Sequence, residues 1–146
     1  MRFYSYDPGK TTGWALFESD NLISAGESES WKDIRMQLDY DEVDFVLIEE
    51  FKLYPWKAKN KSWDTFPEIE VIGVIKEYCW YNGINVVKQL PNQKDFFDNK
   101  KLERLYGKIP SRHAKDAVRH GLIYLTFGEG KKIGLSKDIL RRSIEN

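Results

Sequence analysis

Apolar positions along the chain follow two periods, and the switches between them lay out the elements. Residues 2–7 and 13–19 read as strands, and Leu22–Glu27 follows the Asp20-Asn21 turn, so the chain opens as an antiparallel meander. In Ser28–Leu38, Trp31, Ile34 and Leu38 recur at helical spacing behind serines suited to capping, which predicts a crossover helix. Val43–Glu49 is nearly all apolar on both faces, as a buried parallel strand beside the first one should be. A helix is expected from about Phe66 to Tyr81, ended by Asn82-Gly83 before a short strand, Ile84–Val87. Two more helical stretches follow, near Gln93–Tyr106 and Ser111–Phe127. Gly128-Glu129-Gly130 then marks a break. The class is α/β, with one domain over residues 1–127 and a basic tail or short helix of the same domain over 128–146.

Composition fits that picture. A chain of 146 residues supports one sizeable core, and 41% hydrophobic with 14% aromatic residues is a globular content. The single cysteine, Cys79, has no partner in the chain for a disulfide, so a reducing compartment is expected. Met1 and Arg2 lead straight into a strand, without the pattern of a signal peptide, and no apolar run approaches a membrane span. The formal net charge of zero conceals a polarised chain. Residues 1–50 carry 4 Lys/Arg against 12 Asp/Glu, and residues 51–146 carry 19 against 11. The basic later segments can neutralise phosphates while the acidic early ones supply metal ligands, although an ordinary mixed surface would have the same totals.

Three acidic positions stand where chemistry rather than packing would put them. Asp7 precedes Pro8 and Gly9, so its backbone is extended and its carboxylate is held at the end of the first strand. Asp-Pro-Gly is also plain turn chemistry. Phe45, Leu47 and Glu49 share one strand face and Val46, Ile48 and Glu50 the other, so only one of the two glutamates points inward at the shared strand ends. On the last long helix, Ala114, Ala117, Val118, Gly121, Leu122 and Leu125 form the apolar stripe, and Lys115, Arg119 and Thr126 the wet face. Asp116 belongs to neither. It lies on a flank with His113 and His120, three and four residues away, separations that bring side chains together. Carboxylates converging at the mouth of a sheet can hold hard divalent cations, as metal-assisted phosphodiester hydrolysis requires. A packed, half-buried histidine is the plainer reading of His120.

The order and local dress of these residues resemble the RuvC family of Holliday-junction resolvases, among the RNase H-like nucleases. The matching pieces are Asp-x-Gly-x-x-x-Gly (Asp7, Gly9, Gly13), an apolar strand ending in Ile-Glu (Ile48, Glu49), and His-x-x-Asp-Ala (His113, Asp116, Ala117), over about residues 1–127. The resemblance implies an RNase H-like fold with a five-stranded mixed sheet, order 3-2-1-4-5, flanked by helices. It selects Glu49 over Glu50 and makes Asp7, Glu49, Asp116 and His113 the catalytic and metal-binding set. It further implies two Mg²⁺ or Mn²⁺ ions per site, no organic cofactor, a homodimer acting on four-way and other branched DNA, and a cut that leaves 5′-phosphate and 3′-hydroxyl ends. The setting it implies is cytoplasmic, near the nucleoid of a bacterial or phage-infected cell.

The segment from Phe51 to Trp63 contains no acid and interleaves aromatics with lysines, the mixture expected where phosphates are held and unpaired bases stacked. Phe51, Lys52, Tyr54, Trp56, Lys57, Lys59 and Lys61 are candidate nucleic-acid contacts, with Lys94 from a later basic stretch. RuvC-like enzymes carry an aromatic wedge here; Phe51, Tyr54 and Trp56 are equal candidates. The chain is shorter than typical cellular members, in the manner of compact phage-type forms, and its Gln89–Pro110 stretch matches the family's basic loop only in its charges. An RNA-processing nuclease of the same fold and a non-catalytic branched-nucleic-acid-binding module are the alternatives.

Overall fold

The structure, a computed structural model, describes residues 1–49, 66–89, 94–128 and 135–145. Strands β1 (Arg2–Asp7), β2 (Thr12–Glu18) and β3 (Asn21–Ser28) form the meander. Helix α1 (Trp31–Tyr40) then crosses to β4 (Phe45–Glu49), and α2 (Pro67–Tyr81) leads to β5 (Asn85–Gln89). After a 3-10 turn at Lys94–Phe96 come α3 (Asn99–Tyr106), α4 (Arg112–Phe127) and α5 (Leu135–Ile144). The sheet order is β3-β2-β1-β4-β5, with β1, β4 and β5 parallel, as an RNase H-like fold requires.

Two departures from the expected elements have local causes. The stretch 93–106 is broken because Asp98 takes an extended backbone and its side chain caps α3, accepting from the Lys101 amide at 2.9 Å. Thr126 lies in the core instead of on a wet face, because α4 is covered by the sheet on one side and by α3 and α5 on the other. The C-terminal helix joins the same core through Ile139 and is tied to the β2–β3 turn by an Arg142–Asp20 ion pair.

Alternation along the strands divides the core into two layers. Phe3, Phe45 and Leu47 pack with Ala114, Ala117 and Val118 of α4, while Tyr4, Tyr6, Val46 and Ile48 pack on the other face with Ile34 of α1 and Ile75 of α2. By that parity Ser5 and Asp7 belong to the α4 side, and Ser5 Oγ donates to the Ala117 carbonyl at 2.7 Å. Gln89, at the end of β5, donates from Nε2 to the His120 carbonyl at 2.9 Å. Helix α4 is therefore pinned across the carboxyl ends of β1 and β5. None of the helices formed by the described residues is long and apolar enough to cross a membrane.

Gly13 sets how closely α4 approaches. A Cβ there would stand 1.9 Å from the His113 carbonyl oxygen and 2.4 Å from its carbon, and backbone atoms cannot swing aside. Gly13→Ala should cost about 1–3 kcal/mol, the usual penalty of overpacking, read as a lower urea midpoint. An unchanged midpoint would mean that α4 is not seated on β2.

Candidate metal centre

β1 and β4 run parallel with Tyr6 opposite Ile48, so the next residue of each, Asp7 and Glu49, emerges beside the other at the carboxyl ends of neighbouring strands. Such ends are where open α/β sheets bind ligands. Helix α4 closes the site from above. Its His120 is fully buried, with Nε2 3.0 Å from Glu49 Oε2. One ligand atom from each of Asp7, Glu49 and His120 lies within 4.8 Å of the other two. Lys94, from the 3-10 turn, places Nζ 3.2 Å from Glu49 Oε1.

The two carboxyl groups have opposite electrostatic fates. Burial pushes Asp7 up to about 8, helped by its hydrogen bond to Glu49 and by the charges of Glu49 and Asp116, with Lys94 opposing. Burial also raises Glu49, but hydrogen bonds from His120 and Asp7 and the nearby charge of Lys94 outweigh that and hold it down to about 2. The pair therefore shares one proton near neutrality, carried by Asp7 and donated to Glu49. A divalent cation between these oxygens would take over the proton's task, and carboxylate oxygens are the donors that Mg²⁺ and Mn²⁺ prefer. The residues fit such an ion.

Asp116 is near enough for its charge to act on Asp7, but its Oδ1 is engaged by Arg119 Nη1 at 2.8 Å. Arg119 also donates from Nε to the Phe97 carbonyl at 2.7 Å and from Nη2 to Asn99 Oδ1. One guanidinium thus fixes the aspartate to the segment that supplies Lys94.

Neither a protein-family model nor a curated protein sequence matches the chain. Solved structures do. Thermus thermophilus RuvC in complex with Holliday junction substrate aligns over 92% of this chain and 96% of its own, with a TM-score of 0.68 at 14% identity. A second Thermus thermophilus RuvC structure aligns over 82% and 90%, with a TM-score of 0.60 at 13% identity. The Fowlpox virus resolvase, in a complex with Holliday junction DNA, aligns over 84% and 97%, with a TM-score of 0.56 at 18% identity. The chain has the RuvC fold.

Within this RuvC-like fold, the expected residues are distributed unevenly. Asp7 and Glu49 meet at the strand ends, whereas Asp116 is outside the cluster of ligand atoms, near enough for its charge to act on Asp7 and paired through Oδ1 with Arg119. His113 lies in the first turn of α4, part-buried, and is not in the cluster of ligand atoms, where His120 stands instead. Lys94 faces Glu49. Phe51, Lys52, Tyr54, Trp56, Lys57, Lys59 and Lys61 lie outside the described residues, as does Glu50. Sequence reasoning passed over Arg119, Ser5 and Gln89. The four-residue step from Asp116 to His120 was the available signal for the histidine.

The raised Asp7 sets a pH dependence for the metal-free protein. Between the ordinary carboxylate range and about 8 the folded state binds more protons than the unfolded one, so stability falls as pH rises through that window. The depressed Glu49 acts lower down, and its contribution is lost as pH falls towards about 2. Thermal melts of the parent without metal should therefore drop from pH 5 to pH 8. Asp7→Asn should flatten that drop, raise the melting temperature at pH 8, and weaken the stabilisation that Mn²⁺ gives the parent. A variant with the parental pH slope would show that Asp7 does not hold the shared proton.

Proposed function

We propose that the chain is a divalent-metal-dependent endonuclease that resolves Holliday junctions and other branched DNA. The observation that carries this reading is the convergence of Asp7 and Glu49 at adjacent parallel strand ends, with Asp116 of α4 near enough for its charge to act on Asp7. The fold supports it, because it is shared with two resolvases crystallised on junction DNA. Asp7, Glu49 and Asp116 would hold two Mg²⁺ or Mn²⁺ ions, with His113 as the further member of the set. Bound there, the ions would polarise the scissile phosphate and lower the pKa of an attacking water.

The chain's own groups supply the rest. Ser5 and Gln89 fix α4, so that its donors face the strand ends without reorganising when the phosphate arrives. Lys94 brings a positive charge on a flexible stem to the edge of the carboxylates, where it can transfer to a phosphate oxygen. Arg119 holds Asp116 through Oδ1 at 2.8 Å and so limits its rotation. His113, at the start of α4, serves as a proton acceptor or donor at its rim. A homodimer would match paired cuts to a two-fold junction.

Labelled four-way, three-way, duplex and single-stranded DNA and RNA, incubated with the protein in Mg²⁺, Mn²⁺ and EDTA, test the reading directly. Cleavage of the four-way junction in metal alone is expected, and RNA cleavage without branch preference would move the chain to RNA processing. Asp7→Asn and Glu49→Gln should each lose at least about 100-fold in rate, as is usual when preorganised electrostatics are removed, with junction binding kept within a few-fold. Glu50→Gln should cut normally. Replacing Lys57, Lys59 and Lys61 together by Ala should make log affinity against log salt shallower by up to about 0.9 per lost phosphate contact.

A further inference from the structure

The nuclease reading leaves His120 without a task. Its ring is fully buried, Nε2 faces Glu49 Oε2 at 3.0 Å, and Nδ1 is buried with no hydrogen-bond partner among the described residues. We infer that His120 is a positioning residue, a neutral imidazole with its proton on Nε2 donated to Glu49, and is not a ligand to the ions. The metal half of this inference rests on the nuclease reading; the hydrogen bond does not.

A neutral imidazole has one N–H and one lone pair. With the proton on Nε2, the donor meets a carboxylate and only a lone pair is left without a partner. Coordination through Nε2 would force the proton onto Nδ1, which would bury an N–H without an acceptor and deprive Glu49 of its donor. A doubly protonated ring would strand the same N–H. Ligating histidines nearly always pass their other N–H to an acceptor such as a carboxylate or carbonyl, and among the described residues Nδ1 of His120 meets neither.

The backbone of His120 is fixed as well, since its carbonyl accepts from Gln89 Nε2 at 2.9 Å, and Gln89 is paired with Glu49 across β4 and β5. The ring is thus a strut. It is rooted over β5 and holds Oε2 of Glu49, while Lys94 engages Oε1. Removing the ring frees the glutamate to turn; removing a ligand would instead take away a donor atom.

The chain holds two histidines, so imidazole nitrogen-proton correlation spectra of the 146-residue protein contain two ring systems, and His113→Gln assigns them. Without metal, His120 should show a protonated Nε2 and a bare Nδ1. Mg²⁺ should leave that pattern intact while shifting the side-chain carboxyl carbon signals of Asp7 and Glu49. His120→Gln, whose amide can still donate to Glu49, should keep Mn²⁺ affinity within about threefold, whereas His120→Leu should lose about 10–100-fold, as expected when the partner that orients a ligand is removed. A proton on Nδ1, with or without Mg²⁺, overturns the assignment. So does direct nitrogen coupling to Mn²⁺ in the spin-echo spectrum of the His113→Gln protein, or undiminished affinity in His120→Leu. Should His120→Leu fail to fold, the parental spectra decide alone. If the carboxyl signals ignore Mg²⁺, the metal reading falls, and the proton position in the metal-free protein still decides what His120 does.

Discussion

Helix α4 lies across the ends of the parallel strands, and each chemical property of the site depends on how it is held there. Its middle carbonyls, at Ala117 and His120, accept side-chain hydrogen bonds from Ser5 and Gln89. These carbonyls already serve the helix ladder, and a carbonyl has lone pairs for both. The helix is thereby indexed to β1 and β5 without losing its own hydrogen bonds. At its start, Gly13 lets the His113 carbonyl come so close to β2 that any side chain would push it away. Apolar burial along Ala114, Ala117 and Val118 supplies most of the adhesion, and the polar contacts set the register.

From that placement follows a site that is under electrostatic tension without a cation. Burial pushes Asp7 towards its protonated form at the sheet's edge, while a hydrogen bond from His120 and the charge of Lys94 favour the ionised form of Glu49. Lys94 compensates for the charge of Glu49 and Arg119 for that of Asp116, while His120 adds a hydrogen bond to Glu49. Glu49 and Asp116 therefore each have a basic partner, from the segment just before α3 and from α4, while burial favours the protonated form of Asp7, which explains how three acids are tolerated among half-buried side chains.

The sheet was legible in the sequence because its strands are short, apolar and punctuated by turns. Parity put Glu49 with Phe45 and Leu47, and the packing of those two residues against α4 agrees with it. Asp98 was harder to read, since a capping aspartate inside a polar helical stretch looks like one more solvated residue until its backbone is seen. Thr126 and Arg119 escaped for a related reason. Helical periodicity separates faces by polarity, but α4 is covered on more than one side, so a polar residue on its far face can be buried and an arginine can fold inward. Those pairings depend on which element arrives from a distance. A single sequence carries no local trace of them.

The way the site is shared between strands and helix limits how it can change. Residues on one face of a strand are about 6.6 Å apart, so substituting along β1 or β4 moves a donor by a whole group or turns it away. Along a helix each residue advances about 1.5 Å while rotating about 100°. The strands provide a coarse grid and α4 a fine one. In a lineage carrying this arrangement, the two strand acids would stay fixed in position, and drift in the shape and charge of the site would be written along α4, in whichever of its residues turn towards them.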